Sequence, residues 1–368
     1  MNCKTILLKD LVLGEKGSYG IGAPAVDYDP KKYTYLRITD INDDGSINTN
    51  GLKSVDAEDA YKYILQENDI VFARTGASTG KTYFYQPQDG TLVYAGFLIK
   101  FSIDPQKVNP RLLKYITHSQ EYYNWVHSFD TGGTRGNINA VTFANMPISL
   151  PNRATQDRIV AILSSIDDKI ELNRRINANL EQQAQALYKS WFVDADTTGW
   201  GTKKLADFFN VITGKKDANY STKDGVYPFF TCSQDILKAP NYSFEGAAIL
   251  LAGNGDFNVK RYIGKFEAYQ RTYVLIPFEK RYHSFLYLLI KYHLQEITGG
   301  SRGSVIKFIT KGNIADFTFT MPPYSIDEKL SLFDSLFNEI DKNITEINNL
   351  STIRDTLLPK LISGEIKV

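Results

Sequence analysis

The sequence ATQDRIVAILSSIDDKIELNRRINANLEQQAQALYKSWF, residues 154–192, decides the fold of this chain. It contains neither Gly nor Pro, and good helix formers dominate it. Apolar side chains return at steps of three and four, which predicts one long helix with a narrow apolar seam. At 1.5 Å per residue such a helix would run roughly 60 Å, longer than a compact domain is wide. A helix of this kind needs a partner.

Residues 326–358 provide that partner, because their apolar side chains follow the same steps. A shift of 171 positions places one seam on the other, for example Ile159 on Leu330. Polar residues such as Asn173 interrupt the seam, which lowers stability but can determine register and orientation. The alternative is two unrelated amphipathic helices packed on separate cores. The predicted seam consists of Ile159, Ile162, Ile166, Ile176, Leu180 and Leu187, facing Leu330, Phe333, Phe337, Ile340, Ile344, Ile347 and Leu358.

Length and composition narrow the class of protein. A chain of 368 residues is too long for one hydrophobic core, which predicts two domains. No apolar stretch reaches the roughly 18 residues of a membrane span, and the first residues lack the features of a signal peptide. Cys3 and Cys232 cannot form a disulfide framework or a zinc site, so we expect a cytoplasmic protein. The net charge of +1 does not exclude DNA as a partner, because binding depends on local clusters of charge.

The chain repeats one plan twice. LLKDLVLGEKGSYG (7–20) is matched by KKLADFFNVITGKK (203–216), and the Gly-rich loop TGGTRGNI (131–138) by TGGSRGSV (298–305). In each copy, short strands and helices precede a long helix. We therefore predict an α+β fold, in which two globular α/β domains form a pseudo-twofold repeat and are separated by two long helices in an antiparallel coiled coil. The predicted boundaries are 1–150 and 197–321 for the domains, and 151–196 and 322–368 for the helices.

This symmetry has a consequence for ligands. A B-form duplex has local twofold axes, so two modules related by a pseudo-twofold axis can meet it in equivalent poses a fixed distance apart. The two copies differ in sequence, and each half-site would therefore differ as well. The repeat predicts a molecular ruler for an asymmetric, split DNA sequence.

The candidate DNA-binding residues come from the two Gly-rich loops and from a polar cluster in each copy. Glycines let the backbone approach a phosphate closely, and Arg can bind phosphate or guanine through two hydrogen bonds. The alternative is that the glycines only form tight turns and the arginines are solvated or paired with acids. The predicted residues are Arg74, Thr75, Ser78, Lys81, Gly133, Thr134, Arg135 and Asn137 in the first copy, and Asn254, Lys260, Arg261, Gln270, Arg271, Gly300, Ser301 and Arg302 in the second.

Two catalytic motifs are present only in incomplete form. GASTGKT (76–82) has three residues between its glycines, where a phosphate-binding loop needs four. Met321-Pro-Pro-Tyr324 is close to an amino-methyltransferase signature, but Met321 cannot accept a hydrogen bond from the target amino group. We therefore predict that this chain has no catalytic residues, no metal site and no cofactor of its own.

The repeated TGGTRGN and TGGSRGS, together with LPNRATQDRIVAIL (150–163) and MPPYSIDEKLSLF (321–333), resemble the specificity subunit of type I restriction–modification enzymes. ALYKSWFVD (186–194) and LLPKLISGEIKV (357–368) are similar to further conserved regions of that family. The resemblance implies two target-recognition domains that each read one half of a bipartite DNA sequence. The helices between them would dock two methyltransferase subunits.

The same resemblance implies where the chemistry lies. S-adenosylmethionine would bind to the methyltransferase subunits, which methylate adenine, and ATP and Mg to a restriction (motor) subunit that cleaves DNA. This chain would be non-catalytic and bind double-stranded DNA. Two alternatives remain: the recognition part of a related methyltransferase–nuclease system, and a coiled-coil adaptor without DNA binding.

Overall fold

The computed structural model describes residues 3–49, 51–130, 136–255, 257–299 and 307–368. The chain divides into two compact units. Unit 1 comprises Met1–Ile170 and Asn348–Val368, and unit 2 comprises Glu171–Ile347. Each unit mixes helices with mainly antiparallel strands, and the predicted α+β class is confirmed.

Unit 1 contains three small sheets, in the strand orders β1-β10, β2-β9-β6-β7 and β3-β5-β4-β8. Its core lies between the β6 sheet and the helices, and the C-terminal residues Leu358 and Leu361 are buried in that core. The strands are β1 (Lys4–Leu7), β2 (Ser18–Tyr19), β3 (Ala25–Asp27), β4 (Tyr33–Leu36), β5 (Lys53–Val55), β6 (Asp69–Ala73), β7 (Thr82–Phe84), β8 (Leu92–Tyr94), β9 (Leu98–Ser102) and β10 (Pro147–Leu150). The helices are α1 (Pro110–Ile116), α2 (Gln120–His127), α3 (Ala140–Ala144) and the beginning of α4 (Arg153–Tyr188).

Unit 2 contains a two-stranded sheet, β11-β18, and a six-stranded sheet, β12-β17-β15-β16-β13-β14. The apolar run of β15 is buried because this strand lies between β16 and β17. The strands are β11 (Gly201–Lys204), β12 (Phe209–Thr213), β13 (Tyr227–Phe230), β14 (Ile236–Ala239), β15 (Phe244–Ala252), β16 (Val259–Ala268), β17 (Thr272–Pro277) and β18 (Thr318–Met321). The α-helices are the second half of α4, α5 (His283–Tyr292), α6 (Leu294–Thr298), α7 (Lys311–Ala315) and most of α8 (Asp327–Ser363), whose last residues belong to unit 1.

The strand topology repeats between the units. The order β2-β9-β6-β7 in unit 1 matches β12-β17-β15-β16 in unit 2. The parallel pair β4-β8 matches the parallel pair β13-β16. In unit 2 the long strand β16 takes the places of both β7 and β8, which joins the two larger sheets of unit 1 into one. The duplication predicted from sequence is therefore present in the backbone.

Two segments differ from the predicted elements. The apolar period of NPRLLKYITHSQEYYNWV (109–126) predicts one helix. The structure has two, because the side chain of Thr117 bonds to the carbonyl of Leu113 at the end of α1 and Ser119 caps α2. The segment VTFANMPISL (141–150) resembles a strand in sequence, but it begins with α3, which is capped by the side chain of Asn139. Only residues 147–150 form β10.

The two long helices pack antiparallel in unit 2. The amide of Asn173 donates to Glu346 (2.8 Å), and that of Asn343 donates to Asn177 (2.8 Å). Residue numbers therefore rise along one helix as they fall along the other, which shows that the helices are antiparallel. Asn173 and Asn343 are buried, and in each helix they interrupt the apolar seam. Two buried amides that each have a partner on the other helix favour one register, because sliding would separate Asn173 from Glu346 and Asn343 from Asn177.

The observed seam corrects the predicted alignment of the helices. The burial pattern of residues 161–180 recurs almost unchanged at 331–350, an offset of 170 rather than 171. Ile162 and Ile344 are exposed, and the buried positions beside them are Leu163 and Asn343. The prediction was wrong at Ile162 and Ile344, because Leu163 and Asn343 are the residues that packing buries there. Asn173, which the sequence already placed in the seam as a polar residue, is buried. The other predicted seam residues are buried (Ile159, Leu330, Phe333, Phe337, Ile340, Leu358) or half-buried (Ile166, Ile176, Leu180, Leu187, Ile347).

Carboxylates on α4 connect the helix pair to the globular part of each unit. In unit 1, Asp167 accepts hydrogen bonds from Lys114 (2.6 Å) and Arg354 (3.0 Å). In unit 2, Glu181 accepts from Tyr287 and Lys291, both at 2.6 Å. Burial raises the pKa of each carboxyl, but the neighbouring cations and hydrogen bonds outweigh it and hold both pKa values below the ordinary range. Both carboxylates are therefore ionised at neutral pH.

Candidate nucleic-acid interface

The predicted polar cluster of unit 1 surrounds the end of β6. The guanidinium of Arg74 lies 5.0 Å from the ring centroid of Tyr19, and its Nε donates to Asn137 (3.3 Å). Tyr19 and Asn137 are exposed, while Thr75 and Ser78 are half-buried. Arg74 is half-buried, and a guanidinium held beside a tyrosine ring can still bind an anionic ligand through its N–H groups.

Backbone hydrogen bonds bring the described end of the first Gly-rich loop to this cluster. The N–H of Ile138 donates to the carbonyl of Arg74 (3.0 Å), and the hydroxyl of Thr79 donates to the carbonyl of Gly136 (3.1 Å). Two candidate groups that are distant in the sequence are therefore in contact in the structure, namely residues 74–81 and 136–138. Gly133, Thr134 and Arg135 lie outside the described residues, as do Gly300, Ser301 and Arg302 of the second loop.

Unit 2 repeats this backbone arrangement at the end of β15. The N–H of Ile309 donates to the carbonyl of Gly253 (3.1 Å), as that of Ile138 does to Arg74. The neighbouring Asn254 forms a bridge with Phe308, and the N–H of Gly255 donates to the carbonyl of Lys307 (2.9 Å). The segment that follows the second Gly-rich loop is thus held beside a strand end, as in unit 1.

The two lysines predicted to bind DNA form hydrogen bonds or ion pairs with loops of their own unit. Lys81 forms an ion pair with Asp43 (2.8 Å) and donates to the carbonyl of Ile41 (3.3 Å). Lys260 donates to the carbonyl of Ser233 (2.6 Å) and to the side chain of Asn258. Burial lowers the pKa of Lys260. In each unit the lysine therefore orders the loop that follows the matching strand, β4 or β13.

Arg261 does not belong to the candidate surface. Its guanidinium binds both carboxylate oxygens of Asp341 on α8 (2.7 and 2.9 Å) and lies 4.6 Å from the ring centroid of Phe337. Only 10% of its side chain is exposed. Successive strand residues point to opposite faces, so Arg261 faces the helix while its neighbour Lys260 faces the loop. We therefore correct the predicted role of Arg261, because its cation is already paired.

Gln270 and Arg271 lie in the turn between β16 and β17. Gln270 donates to Asp217 (2.7 Å), which connects this turn to the segment before β13. Arg271 has an exposed side chain, and its carbonyl accepts the N–H of Gly253 (2.8 Å). Sequence reasoning missed Tyr19, Asn258 and Phe97. Tyr19 lies in the repeated segment 7–20, but Asn258 and Phe97 lie outside the repeated segments, so no signal in the sequence pointed to them.

We predict opposite effects for the substitution of Arg261 and of Arg271. Arg261→Ala should lower the free energy of unfolding by roughly 2 kcal/mol, because it removes hydrogen bonds to a charged group. Arg271→Ala should change that free energy by less than about 0.5 kcal/mol, as is usual for an exposed residue, yet weaken DNA binding. Urea unfolding and DNA titration of both variants would test this. Weaker DNA binding by folded Arg261→Ala, with Arg271→Ala unaffected, would contradict the assignment.

The described residues offer little for other kinds of site. Within them, no group of His, Cys, Asp and Glu side chains is arranged to hold a metal ion. None of the helices in the described part of the chain is both long and apolar enough to cross a membrane.

Comparisons with known proteins also find one kind of domain twice in this chain. The family model described as Type I restriction modification DNA specificity domain matches residues 3–182 and 197–350. The type I restriction enzyme EcoDI specificity subunit of Escherichia coli is 38% identical over 175 residues, which are 45% of this chain and 38% of that protein. The MjaIX specificity subunit of Methanocaldococcus jannaschii is 24% identical over 303 residues, 70% of this chain and 69% of that protein.

Among solved structures, the type I restriction–modification S subunit from M. genitalium has a TM-score of 0.55 at 17% identity, and the match covers 98% of this chain and 96% of that one. At this identity the likeness concerns the fold. The match to the E. coli relative spans well under half of that protein's length.

Proposed function

This chain belongs to the family of type I restriction modification DNA specificity domains, and from this premise we propose that it recognises a DNA sequence split into two halves. Unit 1 reads one half and unit 2 the other. The observation that carries the proposal is the repeated backbone frame, in which the carbonyl of Arg74 or Gly253 accepts from the segment after a Gly-rich loop. The exposed side chains around the two frames differ, so the two half-sites differ.

The helix pair serves as a spacer in this proposal. Support comes from its antiparallel pairing in unit 2 through Asn173 and Asn343, and from the carboxylates that join it to each globular part. A spacer that holds its register keeps the number of base pairs between the half-sites constant. We also assign to the exposed faces of α4 and α8 the docking of two methyltransferase subunits.

The chain itself is non-catalytic in this proposal and binds no cofactor. S-adenosylmethionine belongs to the methyltransferase subunits, and ATP with Mg to restriction subunits that join the complex. Its own contribution is positional: it places a partner's active site at a defined adenine.

A map of modified adenines tests the proposed function. The chain is co-expressed with its cognate methyltransferase subunit, and DNA from cells without the chain is the control. We expect one asymmetric motif, split by a constant gap and absent from the control. A contiguous motif would mean that one unit alone reads DNA. No methylation by an assembled complex would favour a coiled-coil adaptor.

A further inference from the structure

One turn occupies the same place in the two units and carries a different exposed side chain in each. In unit 1 the N–H of Arg74 donates to the carbonyl of Phe97 (3.1 Å), and in unit 2 that of Gly253 donates to the carbonyl of Arg271 (2.8 Å). The next hydrogen bond also matches: Gly20 donates to Leu98, and Gly214 donates to Thr272. Phe97 and Arg271 are therefore equivalent by backbone geometry, although the local sequences do not align them.

The side chains of Phe97 and Arg271 are both exposed to solvent. Phe97 is 59% exposed, and Arg271 is exposed as well. A single exposed phenylalanine is common on protein surfaces and would prove little alone. Phe97, however, lies on the turn bonded to the strand end that carries Arg74, the centre of the candidate DNA surface. A ligand that covers this surface would remove the ring from water, which is favourable for an apolar group.

The arginine of this surface is attached at a different place in the backbone of each unit. Unit 1 has Arg74 on the strand end and Phe97 on the turn, whereas unit 2 has Gly253 on the strand end and Arg271 on the turn. A Cβ atom at Gly253 would lie 2.4 Å from the carbonyl oxygen of Arg271, so the closely approaching turn leaves no room for a side chain there. In unit 2 the guanidinium is therefore presented by the turn itself.

These side chains select different bases when they reach the major groove. Phenylalanine makes apolar contact with the methyl group of thymine, and arginine forms two hydrogen bonds with O6 and N7 of guanine. We propose that the turn residue is a specificity-determining residue in each unit. Phe97 favours an A·T pair at one position of its half-site, and Arg271 favours a G·C pair at the corresponding position of the other. This inference rests on the proposed function.

The test exchanges the two side chains in the full-length chain. Phe97→Arg and Arg271→Phe are each assembled with the methyltransferase subunits, and preferred sequences are read from the methylated adenine motif. For Phe97→Arg we expect one base pair of one half-site to change from A·T to G·C, with a change in preference of about tenfold or more, the usual value of an Arg–guanine pair. Arg271→Phe should lose a G·C preference in the other half-site. Phe97→Ala should weaken its A·T preference about fourfold, the value of one buried methyl group.

Tyr61→Ala is the matched control, because Tyr61 belongs to unit 1 and is also 59% exposed. It should leave the motif unchanged. Thermal unfolding should show that all four variants fold as the parent does. If the parent methylates a split motif but Phe97→Arg and Arg271→Phe leave every position unchanged, the inference is wrong and the proposed function stands. If the parent methylates no split motif, the proposed function itself fails.

Discussion

Inserting seven residues into both long helices should widen the gap in the target sequence and leave both half-sites unchanged. Seven residues add roughly 10 Å of helix, and this corresponds to at most about three base pairs of B-form DNA. The insertions belong after residues 175 and 345, because the contacts of Asn173 with Glu346 and of Asn177 with Asn343 place these positions opposite each other. Duplicating 169–175 and 339–345 repeats the seam, including its buried asparagine in each helix.

The gap is measured from the modified-adenine motif of cells that express the lengthened chain with its methyltransferase subunit. The parent motif should disappear and a motif with the same half-sites and a larger gap should replace it. The control lengthens α4 alone, which shifts one seam against the other and should destabilise the helix pair. Methylation of the original motif by the lengthened chain, or a change in either half-site, would refute the spacer role.

Asp167→Asn should destabilise unit 1 by roughly 3 kcal/mol. Asp167 is 13% exposed and pairs with Lys114 and Arg354, which are 20% and 15% exposed. Removing one member of a largely buried ion cluster leaves the others without their countercharge, a change that typically costs 3–5 kcal/mol. For a unit of this size the midpoint of thermal unfolding should fall by roughly 6–12 °C. Asp168→Asn removes a charge from the exposed neighbouring position and should have little effect.

The same pair of variants predicts a pH dependence. The pKa of Asp167 in the folded chain lies below its ordinary value of 3.8, because Lys114 and Arg354 outweigh the effect of burial. The stabilisation is therefore complete above that ordinary value and is lost as the pH falls through the folded pKa. Denaturant unfolding should show a constant difference between the parent and Asp167→Asn from pH 7 to about pH 5, and a shrinking one below about pH 4. A difference that equals that of Asp168→Asn at neutral pH would disprove the role of the cluster.

Patterns that are local in the chain were predicted well. The two long helices follow from apolar steps of three and four, and the duplication follows from TGGTRGNI and TGGSRGSV with the segments around them. A hydrophobic period indicates which face of a helix is buried, and a sequence repeat indicates that one fold occurs twice. These patterns sufficed for the α+β class.

The residues that form each surface could not be predicted in the same way. Lys260 and Arg261 are adjacent in sequence and both are cations, yet one orders a loop and the other binds Asp341, eighty residues away. The register of the helices differs by one residue from the best alignment of their apolar residues, since packing buries Asn343 in the seam and leaves the neighbouring Ile344 exposed.

The sequence by itself therefore determined the repeat, the helix pair and the fold class of this protein. The tertiary structure alone decided that Arg261 belongs to a helix interface and that Phe97 and Arg271 occupy one equivalent turn. The physical reason is that a helical period and a sequence repeat depend only on residues that are close together in the chain. The direction of a strand side chain and the partner of a backbone N–H depend on chain segments that only folding brings together.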